Sequence, residues 1–337
     1  MNVRQVIPRD AIPSIDDPRF GPDHRGPASD EAVVLETEDG SARAYPLRIL
    51  DYHEVVNDEV SGAPVAVTWC PLCASAVVYD AVVDGRRLTF GVSGKLADDD
   101  LVLYDRETDS EWKQSSGVCI DGSLEEARLS PRASSLTTVE RFSERYPDGR
   151  VLQPVPDAES EAASENDDPA PVDYDERPYA GYFASDEVGL AGLRGDGDGD
   201  SDGGRTWNRT DLEPKAVVLG IERAGDALGI PVPWVREAGG VLTASVGESE
   251  VVVLAGEAGI HAFEAPDFAL EFGRAVDVDV DVDVDATGSS PLVGDGTTWD
   301  PVTGESEDGR RLEAVPAKRL FAFAWCDDHG QESLVDR

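Results

Sequence analysis

The chain has 337 residues, enough for two domains of ordinary size, and 40% of them are apolar, which argues against wholesale disorder. Basic residues number 29 and acidic residues 69, a net charge of −40, and only Lys95, Lys113, Lys215 and Lys318 are lysines. That balance argues against nucleic acid or anionic lipid as a ligand.

In dilute buffer so much like charge strains a compact state, whereas in molar salt the screening length falls to roughly 3 Å and the repulsion subsides. The acids are spread along the whole chain, so a salty cytoplasm explains them without a basic partner. The longest apolar runs, such as residues 251–255, are far shorter than the ~20 residues of a membrane helix. The start, MNVRQVIPRDAIPSIDD, has no apolar core. The expectation is therefore a cytoplasmic protein with no membrane segment. Four cysteines in a chain this long make no disulfide framework.

Residues 1–30, rich in Pro and Asp, read as an extended lead-in. Residues 31–150 read as a first β lobe. Short runs of β-branched and aromatic residues recur there between turn pairs: AVVLET before Asp39-Gly40, PVAVTW, SAVVYDAVV before Asp84-Gly85, RLTFGV and LVLY. A helix is expected near residues 136–146, ending at Pro147-Asp-Gly.

Residues 151–213 read as an acidic, Gly/Pro-rich linker anchored by aromatics between Tyr174 and Phe183. Its DGDGDSDGG stretch is similar to a calcium loop but fails at the twelfth position, which needs a bidentate Glu. Counted from Asp196 that position is Trp207, and from Asp198 it is Arg209. The Val/Asp alternation at 276–285 suits an exposed strand or a low-complexity insertion.

Residues 214–337 read as a second, degenerate β lobe. EAVVLETEDG matches KAVVLGIERAG, and an offset of 185 aligns Pro46 with Pro231, Gly62 with Gly247 and VAVTW with EVVVL. The fold expected is mainly β (β-rich α+β), two related lobes from an internal duplication. At the same offset Cys70 meets Ala255, Cys73 meets Ala258, His53 meets Ala238, Glu54 meets Gly239 and Asn57 meets Leu242. Every polar candidate of the first lobe is lost in the second, which places the chemistry in lobe one.

The sharpest motif is Trp69-Cys-Pro-Leu-Cys. Cysteines at this spacing can turn both sulfurs to one side of a tight loop, which suits a reversible disulfide or two thiolates on one metal. Three readings compete. A redox pair of the thioredoxin kind needs a helix after the first cysteine, and the following AlaSerAlaValValTyrAsp is strand-like. A metal site needs further ligands, and no second Cys-x-x-Cys exists. His53 is then the natural third ligand and Glu54 a possible fourth, for zinc or copper. The third reading is two small cysteines merely packed at a strand end.

Cys119 and Cys326 read as buried singletons, and His329 as part of a surface loop rather than a partner for Cys326. Tyr52-His-Glu-Val-Val-Asn sets a base, a carboxylate and an amide close together, with Glu54 and Asn57 as supporting groups around the cysteines. Phe90-Gly-Val-Ser-Gly-Lys is no phosphate loop, since Thr89 and Leu96 break the pattern, but Ser93 is a possible pocket residue. Trp112 is a second, although a core position suits it as well.

His-Glu-x-x-Asn, Thr-Trp-Cys-Pro-Leu-Cys, GlyValSerGlyLysLeu, TyrAspArgGluThr-x-Ser-x-Trp, Thr-Trp-Asp-Pro-x-Thr-Gly and PheAlaPheAlaTrp together resemble domain-of-unknown-function family 3179. The pattern suggests a salt-loving archaeal member. Relatives usually carry Gly where this chain has Ala74, and the family brings no established activity. The function expected is thiolate-based metal binding or thiol redox chemistry at Cys70 and Cys73 with His53. The alternative is a non-catalytic module binding a small molecule or peptide, its cysteines structural.

Overall fold

Short runs of β-branched and aromatic residues between tight turns build the strands, and several of these are buried on both faces. The structure, a computed structural model, describes residues 1–37, 40–164, 168–195, 207–256, 259–273 and 291–336. The failed calcium loop and the Val/Asp repeat lie outside the described residues. The architecture is mainly β, with several sheets and short helices.

Strands Glu31–Glu36 and Ala42–Pro46 form an antiparallel hairpin, followed by helix Leu47–His53 and a meander of Val55–Val60, Ala63–Cys70 and Ser75–Asp80. Later the same order returns. Val217–Arg223 and Asp226–Pro231 pair, helix Val232–Glu237 follows, and Val241–Val246, Ser249–Gly256 and Gly259–Glu264 form the meander. Each helix starts after an extended proline, Pro46 or Pro231. Proline suits that place because its missing N–H is not needed and its φ is preset.

The two halves do not stand as separate lobes. A seven-stranded sheet takes the hairpin of the second half and the meander of the first, and an eight-stranded sheet takes the reverse combination. Strand Lys318–Phe321 joins them in one sheet, with Arg319 opposite Ala76. Strand Ser135–Thr138 does so in the other, with Leu136 opposite Ile260. Left alone, each hairpin and each meander would present an unpaired edge, and the exchange closes those edges.

Each joining strand runs into a helix: Lys318–Phe321 into Ala322–His329, and Ser135–Thr138 into Val139–Arg145. The helix expected over 136–146 thus begins three residues later, because its first residues are spent as strand. Thr138 caps it, its Oγ1 accepting from the Arg141 N–H at 3.3 Å.

A third sheet of five strands runs Val3–Gln5, Phe90–Ala97, Asp100–Asp105, Glu111–Lys113 and Cys119–Asp121. Its second strand bulges between Val92 and Lys95. Gly94 there has a φ of +74°, and a Cβ would lie 2.1 Å from the Ile7 carbonyl oxygen, so only glycine fits. Residues 151–213 do more than link. Tyr179 and Tyr182 are buried, and Tyr182 packs in the same core as Trp69, Cys70, Cys73 and Trp112.

Candidate functional site

Strands Ala63–Cys70 and Ser75–Asp80 are joined by the four residues Pro71, Leu72, Cys73 and Ala74, with Cys70 paired to Ser75 across the hairpin mouth. The Ala74 N–H donates to the Pro71 carbonyl at 3.3 Å, and Ala74 closes the loop at a φ of +47°. That is the left-handed region, where a side chain costs roughly 1 kcal/mol over glycine. Two outside donors hold the loop. The Phe321 N–H reaches the Cys73 carbonyl at 2.7 Å, and the Tyr182 hydroxyl reaches the Leu72 carbonyl at 2.7 Å.

Both cysteines are buried free thiols. Asp100, at the start of its strand in the five-stranded sheet, meets them. The two sulfurs and a carboxylate oxygen of Asp100 all lie within 4.8 Å of one another. Asp100 is 2% exposed. Its Oδ2 accepts from the Ser115 N–H at 2.8 Å, while its Oδ1 is buried without a hydrogen-bond partner. Beside it the buried Lys113 ammonium is bonded to Asp328, which also accepts from the Ser115 hydroxyl at 3.0 Å.

The electrostatics of this chamber are acidic. Burial, opposed by Lys113 and Ser115, lifts Asp100 to about 6. Cys73 is held well above the usual thiol range by its hydrogen bond with Cys70, by burial and by the Asp100 charge. Burial works against the charge on Lys113, but Asp328 and Asp100 outweigh it and keep the ammonium protonated. Glu54 caps helix Leu47–His53 at a φ of +57° and is buried. Burial and the charges of Glu161, Asp51 and Asp100 push it up to about 8. Asp51 rises to about 6 by burial, although the Trp69 indole N–H reaches it at 3.0 Å and Arg177 at 3.2 Å. A reactive thiolate wants electropositive surroundings, and these are the opposite.

The residues expected from the sequence divide. Cys70 and Cys73 come together, and Glu54 lies near enough to Asp100 to feel its charge. His53 does not join them. Its Nδ1 bonds the Pro13 carbonyl at 2.8 Å and its Nε2 the Tyr174 hydroxyl at 2.6 Å, so neither nitrogen is left for a metal. Burial drops its pKa to about 4, and the ring is neutral. Asn57 acts elsewhere as well. Its amide donates to the Phe90 carbonyl and to Asp16, both at 2.7 Å, and accepts from the Phe90 N–H at 2.9 Å, clamping two sheets together.

Ser93 belongs to the bulge, its hydroxyl donating to the Val102 carbonyl at 2.5 Å. Trp112 is a core residue whose indole N–H donates to Asp105 at 2.9 Å. His329 ends a helix instead of lying in a loop, 3.2 Å from Glu222. Cys119 is buried, and Cys326 is partly so.

Sequence reasoning passed over Asp100, Lys113 and Asp328. Asp100 is the last of three consecutive aspartates in a chain with 69 acids, so nothing marks it. The one available signal is its place directly before the apolar LVLY, where a strand start is buried on both faces.

Fold and site together define a mainly β protein with a buried dithiol–carboxylate cluster at a hairpin tip. The family model described as "Protein of unknown function (DUF3179)" matches residues 9–332, and the chain belongs to that family. Among curated proteins and among solved structures, none matches it. No helix among the described residues is long and apolar enough to cross a membrane.

Proposed function

We propose that the protein binds one divalent transition-metal ion through Cys70, Cys73 and Asp100, with a fourth position open to water or a small substrate. One observation carries this reading. Three donor atoms from separate points of the chain converge within 4.8 Å, and the buried Asp100 Oδ1 has no partner. An orphaned buried acceptor costs about 1–3 kcal/mol, and a cation between the three donors removes that cost.

Tetrahedral zinc with Zn–S near 2.3 Å sets two sulfurs about 3.8 Å apart, so small side-chain rotations close the cluster onto an ion. The hard carboxylate in place of an imidazole favours zinc over copper(I), which prefers softer donors. Three protein ligands and one open position are the pattern of sites that activate water or polarise a carbonyl. The acidity of the chain supports a working environment of high salt, in the cytoplasm of a salt-accumulating cell.

The test is elemental analysis of protein purified in molar KCl, followed by cobalt substitution. Wild type should carry about one zinc per chain and take up cobalt with a thiolate-to-metal charge-transfer band. Cys70→Ser, Cys73→Ser and Asp100→Asn should lose both signals. His53→Gln should keep them. A metal-free wild type that takes up neither ion sinks the proposal, and a reversible Cys70–Cys73 disulfide in the same preparation puts redox chemistry in its place.

A further inference from the structure

Between the two large sheets lies a cavity of about 320 Å³, away from the cysteines. Its walls are mostly apolar, with Val33, Leu136, Leu219, Ile260, Phe263 and Val315. Charged lining residues are already matched in two cases. Arg132 pairs with Asp80 at 3.2 Å, and Arg311 pairs with Glu36 at 2.9 Å.

Arg319 is different. It sits on the strand that joins the two halves, its side chain is 16% exposed, and its nearest carboxylate, Glu31, is 3.6 Å away and half in solvent. Its Nε is buried with no hydrogen-bond partner. A guanidinium presents five N–H donors in a rigid fork, and leaving a buried one such as Nε unmet in a largely apolar place is costly. In a chain of net charge −40, an under-compensated, largely buried cation facing a cavity is an exception that calls for an anion.

We infer that this cavity is a binding site for a small monocarboxylate with an apolar body, its carboxylate gripped by Arg319 and its body lying between the two sheets. The fork matches the two oxygens of a carboxylate. The apolar walls suit a hydrocarbon or aromatic remainder, and the size is at the lower end of small-molecule sites. Glu31 and Glu36 nearby favour a monoanion over phosphate, whose second charge they would repel. The site is separate from the proposed metal centre, although the same strand touches both, since Phe321 holds the Cys73 carbonyl.

Isothermal titration of wild type with octanoate, 1-octanol and inorganic phosphate, in constant KCl, tests this directly. Octanoate should bind saturably, 1-octanol at least about tenfold more weakly, and phosphate not at all. Arg319→Gln should weaken octanoate at least about tenfold while leaving zinc content unchanged. Ala317→Leu, which fills the cavity, should also weaken octanoate and provides a check if the arginine variant fails to fold. Equal affinity for octanoate and octanol, no binding of either, or tighter binding of phosphate would each overturn the inference. Because zinc content is measured on the same samples, failure here is distinguishable from failure of the metal proposal.

Discussion

Replacing Glu54 with glutamine should stabilise the metal-free protein, and by more as the pH rises. The carboxyl is buried among Glu161, Asp51 and Asp100, and its pKa moves from 4.5 to about 8. Below pH 4.5 the group is protonated whether folded or not and contributes nothing. Between 4.5 and 8 the unfolded chain releases the proton and the folded chain keeps it, so stability falls by about 1.4 kcal/mol per pH unit. Above 8 both states are ionised and the loss levels off, on the order of 5 kcal/mol.

Glutamine has nearly the same shape and no charge. Its advantage over wild type should therefore be near zero at pH 4.5 and climb to a plateau above pH 8. Denaturant unfolding of both proteins with chelator, at fixed molar KCl and across pH 5–9, reads the difference directly. Zinc should shrink it, because a bound cation offsets the neighbouring carboxylates. A glutamine variant whose advantage is flat with pH, or which is less stable at pH 9, would refute the electrostatic account of this chamber.

Ala74→Gly relieves a left-handed alanine and should raise stability by about 1 kcal/mol in denaturant midpoints, with zinc content unchanged. Tyr174→Phe leaves His53 Nε2 buried without its partner and should cost about 1–3 kcal/mol, again without loss of metal. The His53 pKa is lowered from 6.5 to about 4, so its contribution is complete above 6.5 and is lost as pH falls toward 4. The stability advantage of wild type over His53→Gln, read by denaturant unfolding, should therefore shrink as pH falls through that window, whatever the neighbouring carboxylates contribute to both proteins. Transfer from molar KCl to about 0.1 M salt should lower the melting temperature sharply, because the screening length grows to roughly 10 Å and the −40 charge repels itself.

Strands, turns and the cysteine hairpin were legible because each depends on local pattern: β-branched and aromatic runs, Asp-Gly pairs, and a proline that stiffens a short loop. The exchange of strands between sheets was not legible. It rests on two long-range contacts, Arg319 with Ala76 and Leu136 with Ile260, which leave no local mark. The choice of His53 as third ligand failed for a related reason. Nearness in sequence suggested that its ring turned toward the sulfurs, but Pro13 and Tyr174, from two distant segments, hold it. The true neighbour of the thiols comes from another sheet.

The shared element order of the two halves also bears on why, among the described residues, the dithiol–carboxylate cluster lies in the first half. At the offset of 185 the meanders share register, Val67 opposite Val78 and Val252 opposite Phe263, and Cys70 corresponds to Ala255. After the helix the second half carries two left-handed glycines, Gly239 and Gly240, which shift the next strand. By pairing, Asn57 therefore corresponds to Ala244, not Leu242. The decisive asymmetry lies past the meander. In the first half, residues 90–121 build the five-stranded sheet, which delivers Asp100 and Lys113 to the cysteine loop. In the second half, the described residues after the meander form a three-stranded sheet, Glu271–Phe272, Leu292–Gly294 and Thr297–Trp299, whose Trp299 packs into an apolar cluster. Cysteines grafted at sequence positions 255 and 258 would therefore meet no counterpart of Asp100 from a five-stranded sheet among the described residues. Such a variant should bind zinc only at the original site, and a second equivalent in elemental analysis would show that the facing sheet is dispensable.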